Sequence, residues 1–139
     1  MSKKRKKVVC IDSDALFLKK QDSSLKEKGL RQFFYPFSEI SEAVKFLEGK
    51  VADSCTRIHY ILLDQDFISE RFTSALHPIY SFDSFYAQPE IIVCAKNKNS
   101  EFRNRVMQHE FVSAIIEKPI PENYIEFLIT GENGVDVHK

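Results

Sequence analysis

The sequence predicts an α/β fold: a doubly wound, five-stranded parallel sheet with helices on both faces. Three observations predict it. Short, almost unbroken apolar runs ("VVCI", "YILL", "IIVCA", "VSAII") recur along the 139 residues. They lack the alternation of a half-exposed strand and read as strands buried on both sides. Segments of helical periodicity separate them, the pattern of βαβ units. Finally, the runs end on polar residues, Asp12, Asp64 and Lys118. That is expected where a parallel sheet gathers its chemistry beyond the carboxyl ends of its strands.

The first strand is "KVVCI", residues 7–11, ending at Asp12. In "DALFLKKQDSSLKEKG" Asp14 can cap a helix, Leu18 and Leu25 share one face, and Gly29 supplies a left-handed stop. The second strand is expected near residues 32–35, at a sheet edge because Pro36 follows. "SEISEAVKFLEG" is a helix capped by Ser38 or Ser41. Ile40, Ala43, Val44 and Leu47 form its buried stripe, and Gly49 ends it. "HYILLD" and "EIIVCA" are the third and fourth strands. "NSEFRNRVMQHE" is a polar helix with Phe102, Val106 and Met107 inward. "VSAII" is the fifth strand, stopping at Glu117, Lys118 and Pro119. "PENYIEFLI" is the last helix, with Pro121 in its first turn. Between Asp64 and Pro89 one helix is expected at about residues 72–80, the rest being loop. The aromatics Phe67, Phe72, Tyr80, Phe82, Phe85 and Tyr86 exceed what one short helix buries, which points to a partner surface.

The organisation is a basic arm (residues 1–6), one domain (7–130) and a polar tail (131–139). Hydrophobic content of 43% and charged content of 29% suit a soluble globule with a core of its own. No apolar run approaches membrane-span length, and no secretory signal follows the basic start, so the expected location is the cytoplasm. Five of the 20 basic residues lie in the first seven positions, leaving 15 basic against 20 acidic side chains in the remainder. With no second basic stripe, the arm reads as a solvated tail, and nucleic acid is disfavoured as a partner. The cysteines Cys10, Cys55 and Cys94 lack metal-ligand spacing, and the four histidines are scattered. Cys10 and Cys94 read as small core residues.

Asp12, Asp14 and Asp64 on one rim offer oxygen ligands to a hard cation such as Mg²⁺, and Lys118 can neutralise an anionic oxygen. A carboxylate beside a cation and an ammonium is suited to accept a phosphoryl group as an acyl phosphate.

In their order, "VVCIDSD", "SEAVKFLEG", "YILLDQD", "PEIIVCA" and "EKP", with Leu25 and Gly29 closing the first helix, resemble the receiver domain of two-component response regulators over residues 7–129. The resemblance implies a CheY-like (flavodoxin-like) sheet of order 2-1-3-4-5. It places Asp64 at the phosphoacceptor, Asp12 at the first of the paired acids, Lys118 at the pocket lysine, and Pro119 after it across a cis bond. Cys94 and Ala95 fall at the phosphoryl-contacting positions, and Ile115 at the switch position. It further implies Mg²⁺ held by Asp12 and Asp64; of the neighbouring oxygens, Ser13 offers one neutral donor, and Asp14 can compensate only in part because, one residue along, it points elsewhere.

The chain also departs from that pattern. Ser13 stands where the family has a second acid, so Mg²⁺ is expected to bind weakly if at all. Cys94 replaces a threonine or serine, and Ile115 replaces an aromatic. Phe111 stands near the place of a glycine, and the proline and glycine usual after the phosphoacceptor are missing. The resulting expectation is a stand-alone receiver without enzymatic activity. It takes a phosphoryl group from a histidine kinase or histidine phosphotransfer protein and docks an output protein on the face of the fourth helix, fifth strand and fifth helix. The alternative is a non-phosphorylated pseudo-receiver acting as a constitutive interaction module.

Overall fold

The computed structural model describes residues 5–52, 57–67, 89–96, 100–108 and 112–131. Five strands, β1 (Val8–Ile11), β2 (Phe34–Phe37), β3 (Tyr60–Asp64), β4 (Glu90–Ala95) and β5 (Val112–Glu117), form one sheet. The order is β2-β1-β3-β4-β5, and every pairing is parallel. The described α-helices are α1 (Ala15–Glu27), α2 (Ile40–Ala52), α3 (Ser100–Met107) and α4 (Tyr124–Thr130). The helix expected at 72–80 lies outside the described residues, as do Cys55, Phe111 and the aromatics from Phe72 to Tyr86. What the sequence counts as the fourth and fifth helices are therefore α3 and α4.

Strand residues alternate between two cores. Val9, Ile11, Ile61, Leu63, Ile91 and Val93 pack with Ala43 and Leu47 of α2 and Val106 of α3. Val8, Cys10, Leu62, Ile92 and Cys94 pack on the other face with Leu18 and Leu25 of α1 and Ile125, Leu128 and Ile129 of α4. Both faces of the central strands are dry, which is why these strands read as unbroken apolar runs. Cys10 and Cys94 are core residues, as expected.

Asp14 caps α1, its Oδ1 accepting the Phe17 N–H at 3.0 Å. Gly29 takes the left-handed conformation just beyond the helix, at φ 71°.

Several local expectations are corrected. β2 begins two residues later than expected, because Arg31–Phe33 forms a 3-10 turn and Phe34 is the ring that enters the core. Pro36 then lies inside the edge strand. The Phe37 carbonyl accepts the Asp12 N–H at 3.0 Å, so the alternation of a parallel strand turns the Pro36 nitrogen to the open edge. Neither Ser38 nor Ser41 caps α2. The helix starts at Ile40, with the Glu39 carbonyl accepting the Ala43 N–H at 3.3 Å. It also continues past Gly49, which keeps a negative φ and so does not stop it. Pro121 lies in the turn before α4 rather than in its first turn. Its carbonyl takes the Tyr124 N–H at 3.0 Å, and Asn123 is the N-cap. Met107 is exposed, because Val106 occupies the inward position and the next residue is turned about 100° away. The side chain of Phe102 lies outside the described residues.

No helix among the described residues is long and apolar enough to cross a membrane. Lys6 is tied to the domain, its N–H bonding the Ile129 carbonyl at 2.9 Å and its ammonium lying 5.6 Å from the Tyr60 ring centroid.

Candidate functional site

β1, β3 and β5 end on the same rim. The first two deliver Asp12 and Asp64, both almost wholly buried. β5 continues into Lys118, whose backbone N–H bonds the Ala95 carbonyl at 2.7 Å and so fixes the lysine beside the end of β4. The Lys118–Pro119 bond is cis, as the resemblance implied. From there the Lys118 ammonium reaches Asp12 Oδ2 at 2.9 Å and Asp64 Oδ1 at 2.6 Å.

The two carboxylates differ in what holds them. Asp12 is fully engaged: Oδ1 accepts the Asp14 N–H at 2.9 Å, and Oδ2 accepts the Lys118 ammonium. Asp64 is not. Its Oδ1 is held by the Lys118 ammonium alone, in a close ion pair. Among the described residues no other donor reaches either Asp64 oxygen, although both are buried. Buried carboxylates with a purely structural role are normally saturated with donors. The proximity of the ammonium and the missing donors are both real, and together they describe a charge-neutralised carboxylate with unused lone pairs.

Burial alone would lower the Lys118 pKa. The Asp64 and Asp12 carboxylates outweigh it and hold the ammonium above its ordinary range. Cys94 sits directly across from Asp64 in the β3–β4 register. Burial pushes its thiol up to about 12, with Lys118 pulling down and the two aspartates pushing further up, so at neutral pH it is a protonated S–H. Ala95 is buried and its carbonyl is committed to Lys118.

The remaining sequence candidates stand elsewhere. Ser13 is exposed next to Asp12. Asp14 is also exposed, and its Oδ1 is occupied in capping α1, so it does not join Asp12 and Asp64. Ile115 pairs with Val93 and packs into the α2/α3 core, whereas Cys94 faces α1 and α4. Cys94 and Ile115 therefore lie on opposite faces of the sheet. Among the described residues no group of three or more His, Cys, Asp or Glu side chains gathers as a metal site. A cation would find the free lone pairs of Asp64 and the already bonded Asp12.

Sequence reading missed a tie above the pocket. The Gln65 side-chain oxygen accepts the Lys96 N–H at 2.5 Å, and the Lys96 ammonium lies 3.5 Å from Asp66. It links the residues following β3 and β4. Only the register of the two strands reveals it, since Gln65 and Lys96 are 31 positions apart.

Comparison of the fold with solved structures finds receiver domains. A response regulator receiver protein from Dyadobacter fermentans matches with a TM-score of 0.68 at 18% identity, over 88% of this chain and 93% of that one. A two-component response regulator from Cytophaga hutchinsonii matches with a TM-score of 0.67 at 12% identity, over 91% and 95%. A point mutant of the receiver domain of a histidine kinase from Arabidopsis thaliana matches with a TM-score of 0.65 at 14% identity, over 91% and 87%. No family model and no curated protein matches the sequence. The chain has the fold of response-regulator receiver domains.

Proposed function

We propose that this domain is a receiver that accepts a phosphoryl group on Asp64 and signals by protein–protein interaction. One observation carries the reading: Asp64 is buried 2.6 Å from the Lys118 ammonium, and among the described residues no other donor reaches either of its oxygens. A carboxylate oxygen of Asp64 attacks the phosphorus of a phosphohistidine on a kinase or phosphotransfer partner. The new O–P bond forms as the P–N bond breaks, and the imidazole leaves with the bonding pair. The product is an acyl phosphate at a rim where Lys118 already supplies positive charge. Lys118 needs no proton transfer for this, because it is an ammonium throughout and follows the negative charge onto the phosphoryl oxygens.

A divalent cation would be held by Asp12 and Asp64 and would neutralise further phosphoryl charge. With Ser13 in place of an acid and Asp14 spent on the helix cap, the donor set carries two carboxylates and binds such a cation weakly. The output partner docks on the face of α3, β5 and α4. The protein is a binding module rather than an enzyme in its own right.

Incubation with acetyl phosphate and Mg²⁺, followed by intact mass, tests the reading. A single phosphoryl addition that is absent in Asp64→Asn supports it. No addition at any Mg²⁺ concentration overturns it in favour of the second reading, a constitutive docking module of the same fold. That alternative is favoured by the full engagement of Asp12 and by the protonated thiol opposite Asp64.

A further inference from the structure

At the rim opposite the acidic pocket, where the strands begin, His59 joins β1 to β3 through both its backbone and its ring. Its N–H donates to the Lys7 carbonyl at 3.0 Å, and its imidazole Nδ1 accepts the Lys7 N–H at 3.1 Å. Its own carbonyl accepts the Glu90 N–H at 3.0 Å, which ties the start of β4 to the same residue. One position before Lys7, the Lys6 N–H bonds the Ile129 carbonyl at 2.9 Å. These bonds hold the backbone where the basic arm meets the sheet. Of them, the one to the imidazole is the bond that a proton can break.

A ring nitrogen cannot accept an N–H and carry a proton at once. Nδ1 as acceptor requires the neutral imidazole with its proton on Nε2. The ring is half-buried beside a cleft of about 260 Å³, lined also by Lys6, Arg57, Tyr60 and Glu90, so protons reach it from solvent. Among the described residues, the charges on this cleft are the cations of Lys6 and Arg57 and the carboxylate of Glu90, all three residues exposed. The Lys6 ammonium lies 5.6 Å from the Tyr60 ring centroid. An imidazolium here would meet two cations against one carboxylate, and would set donor against donor at the Lys7 N–H.

We propose that His59 is a proton-sensitive latch at the root of the basic arm: neutral, it holds the start of β1 to the start of β3, and protonated, it drops the Lys7 N–H. The folded chain therefore resists a proton that the unfolded chain takes up near pH ~6.5. The stabilisation from the latch is complete above that value and is lost as pH falls below it. The latch lies at the opposite end of β3 from Asp64 and does not depend on phosphorylation.

Nitrogen chemical shifts of the imidazole read the latch directly. At pH 7.5 the wild-type ring should be the Nε2–H tautomer, and an Nδ1–H tautomer overturns the proposal. Between pH 7.5 and pH 5 the Lys7 amide should move with the same midpoint as the ring. A ring that titrates without moving that amide overturns the proposal as well. His59→Asn keeps an oxygen acceptor near the Nδ1 position and cannot take up a proton. At pH 5 the Lys7 amide should exchange with solvent about fivefold faster in the wild type than in this variant, and at pH 7.5 the two should be alike. His77, His109 and His138 titrate in both proteins. Urea midpoints should therefore fall further from pH 7.5 to pH 5 in the wild type than in His59→Asn, and equal falls overturn the proposal. Should the variant fail to fold, the ring and amide titrations of the wild type decide.

Discussion

Cys94 and Asp64 are direct cross-strand partners at the ends of β4 and β3, so a weak, protonated thiol stands beside a buried carboxylate that, among the described residues, only the Lys118 ammonium reaches. A thiol is a poor donor, whereas a hydroxyl bonded to a charged oxygen contributes about 1.5–3 kcal/mol. Replacing Cys94 by Ser or Thr should therefore tighten binding of the phosphoryl mimic beryllofluoride by about tenfold or more, read by titration of amide shifts. Unchanged affinity would mean that the residue at 94 does not reach the anion.

Lys118 should contribute more to stability than any exposed ion pair. It is the cation compensating two buried carboxylates, and its side chain is only 18% exposed. Lys118→Met removes the charge and keeps much of the stem. The cost at neutral pH should be about 3–5 kcal/mol, the range for breaking a buried pair by deleting one partner. Lys118→Arg keeps the charge and should lose much less. Urea denaturation of both variants at neutral pH checks this, and an equal loss in the two would assign the effect to packing of the lysine stem.

Stability should fall in the alkaline range, beginning before lysine titrates. The Cys94 thiol is raised by burial from 9.0 to about 12, and Cys10 shifts the same way for the same reason. The unfolded chain releases these protons near 9, while the folded chain holds them. The stabilisation they represent is therefore whole below pH 9 and is lost as pH rises toward 12. Lys118, raised by its two carboxylates above 10.5, loses its contribution only at still higher pH. Cys94→Ala should flatten the part of the profile between pH 9 and 11, measured as urea midpoints. A wild-type profile flat to pH 11 would contradict the buried, protonated state of the thiol.

The sheet order and the aspartate–lysine rim were legible because they depend on features that sequence carries directly. Central strands buried on both faces must be apolar throughout, and the polar residues that end them must share a rim in a parallel sheet. The Asp14 cap and the Gly29 stop were legible for the same reason, being short-range. The start of β2 was not. Nothing local distinguishes Phe33 from Phe34, and pairing with β1 decides which ring is buried. The reach of α2 past Gly49 shows a helix overriding a permissive residue. Asp14 was placed among metal donors because of its type and position, yet its local cap bond takes it away. The two Asp64 oxygens, reached among the described residues only by Lys118, and the Gln65–Lys96 tie required the strand register.

Ser13 is exposed beside the fully engaged Asp12, which makes it the place to restore a missing ligand charge. Ser13→Asp should raise Mg²⁺ affinity by about tenfold, as one more carboxylate joins a two-carboxylate set. Calorimetric titration of both forms measures it. No gain would show that position 13 does not face the cation.

The last expectation concerns how far a change at Asp64 travels. Cys94 belongs to the α1/α4 core and Ile115 to the α2/α3 core, so no side-chain contact on one face links the two positions. Ile115 has neither a ring to rotate nor a hydroxyl to follow a phosphoryl oxygen. A ligand shifts a two-state element only by its differential interaction with the two states, and here that difference should be small. Beryllofluoride should move amides at Asp12, Asp64, Cys94 and Lys118, together with the Gln65–Lys96 tie above them. Amides of residues 101–108 and 124–128 should stay nearly still, and a partner docked on α3, β5 and α4 should bind with similar affinity with and without the mimic. Large saturating shifts across those two helices would reveal a working switch built from other contacts, with the Gln65–Lys96 tie as the first element to examine by Gln65→Ala.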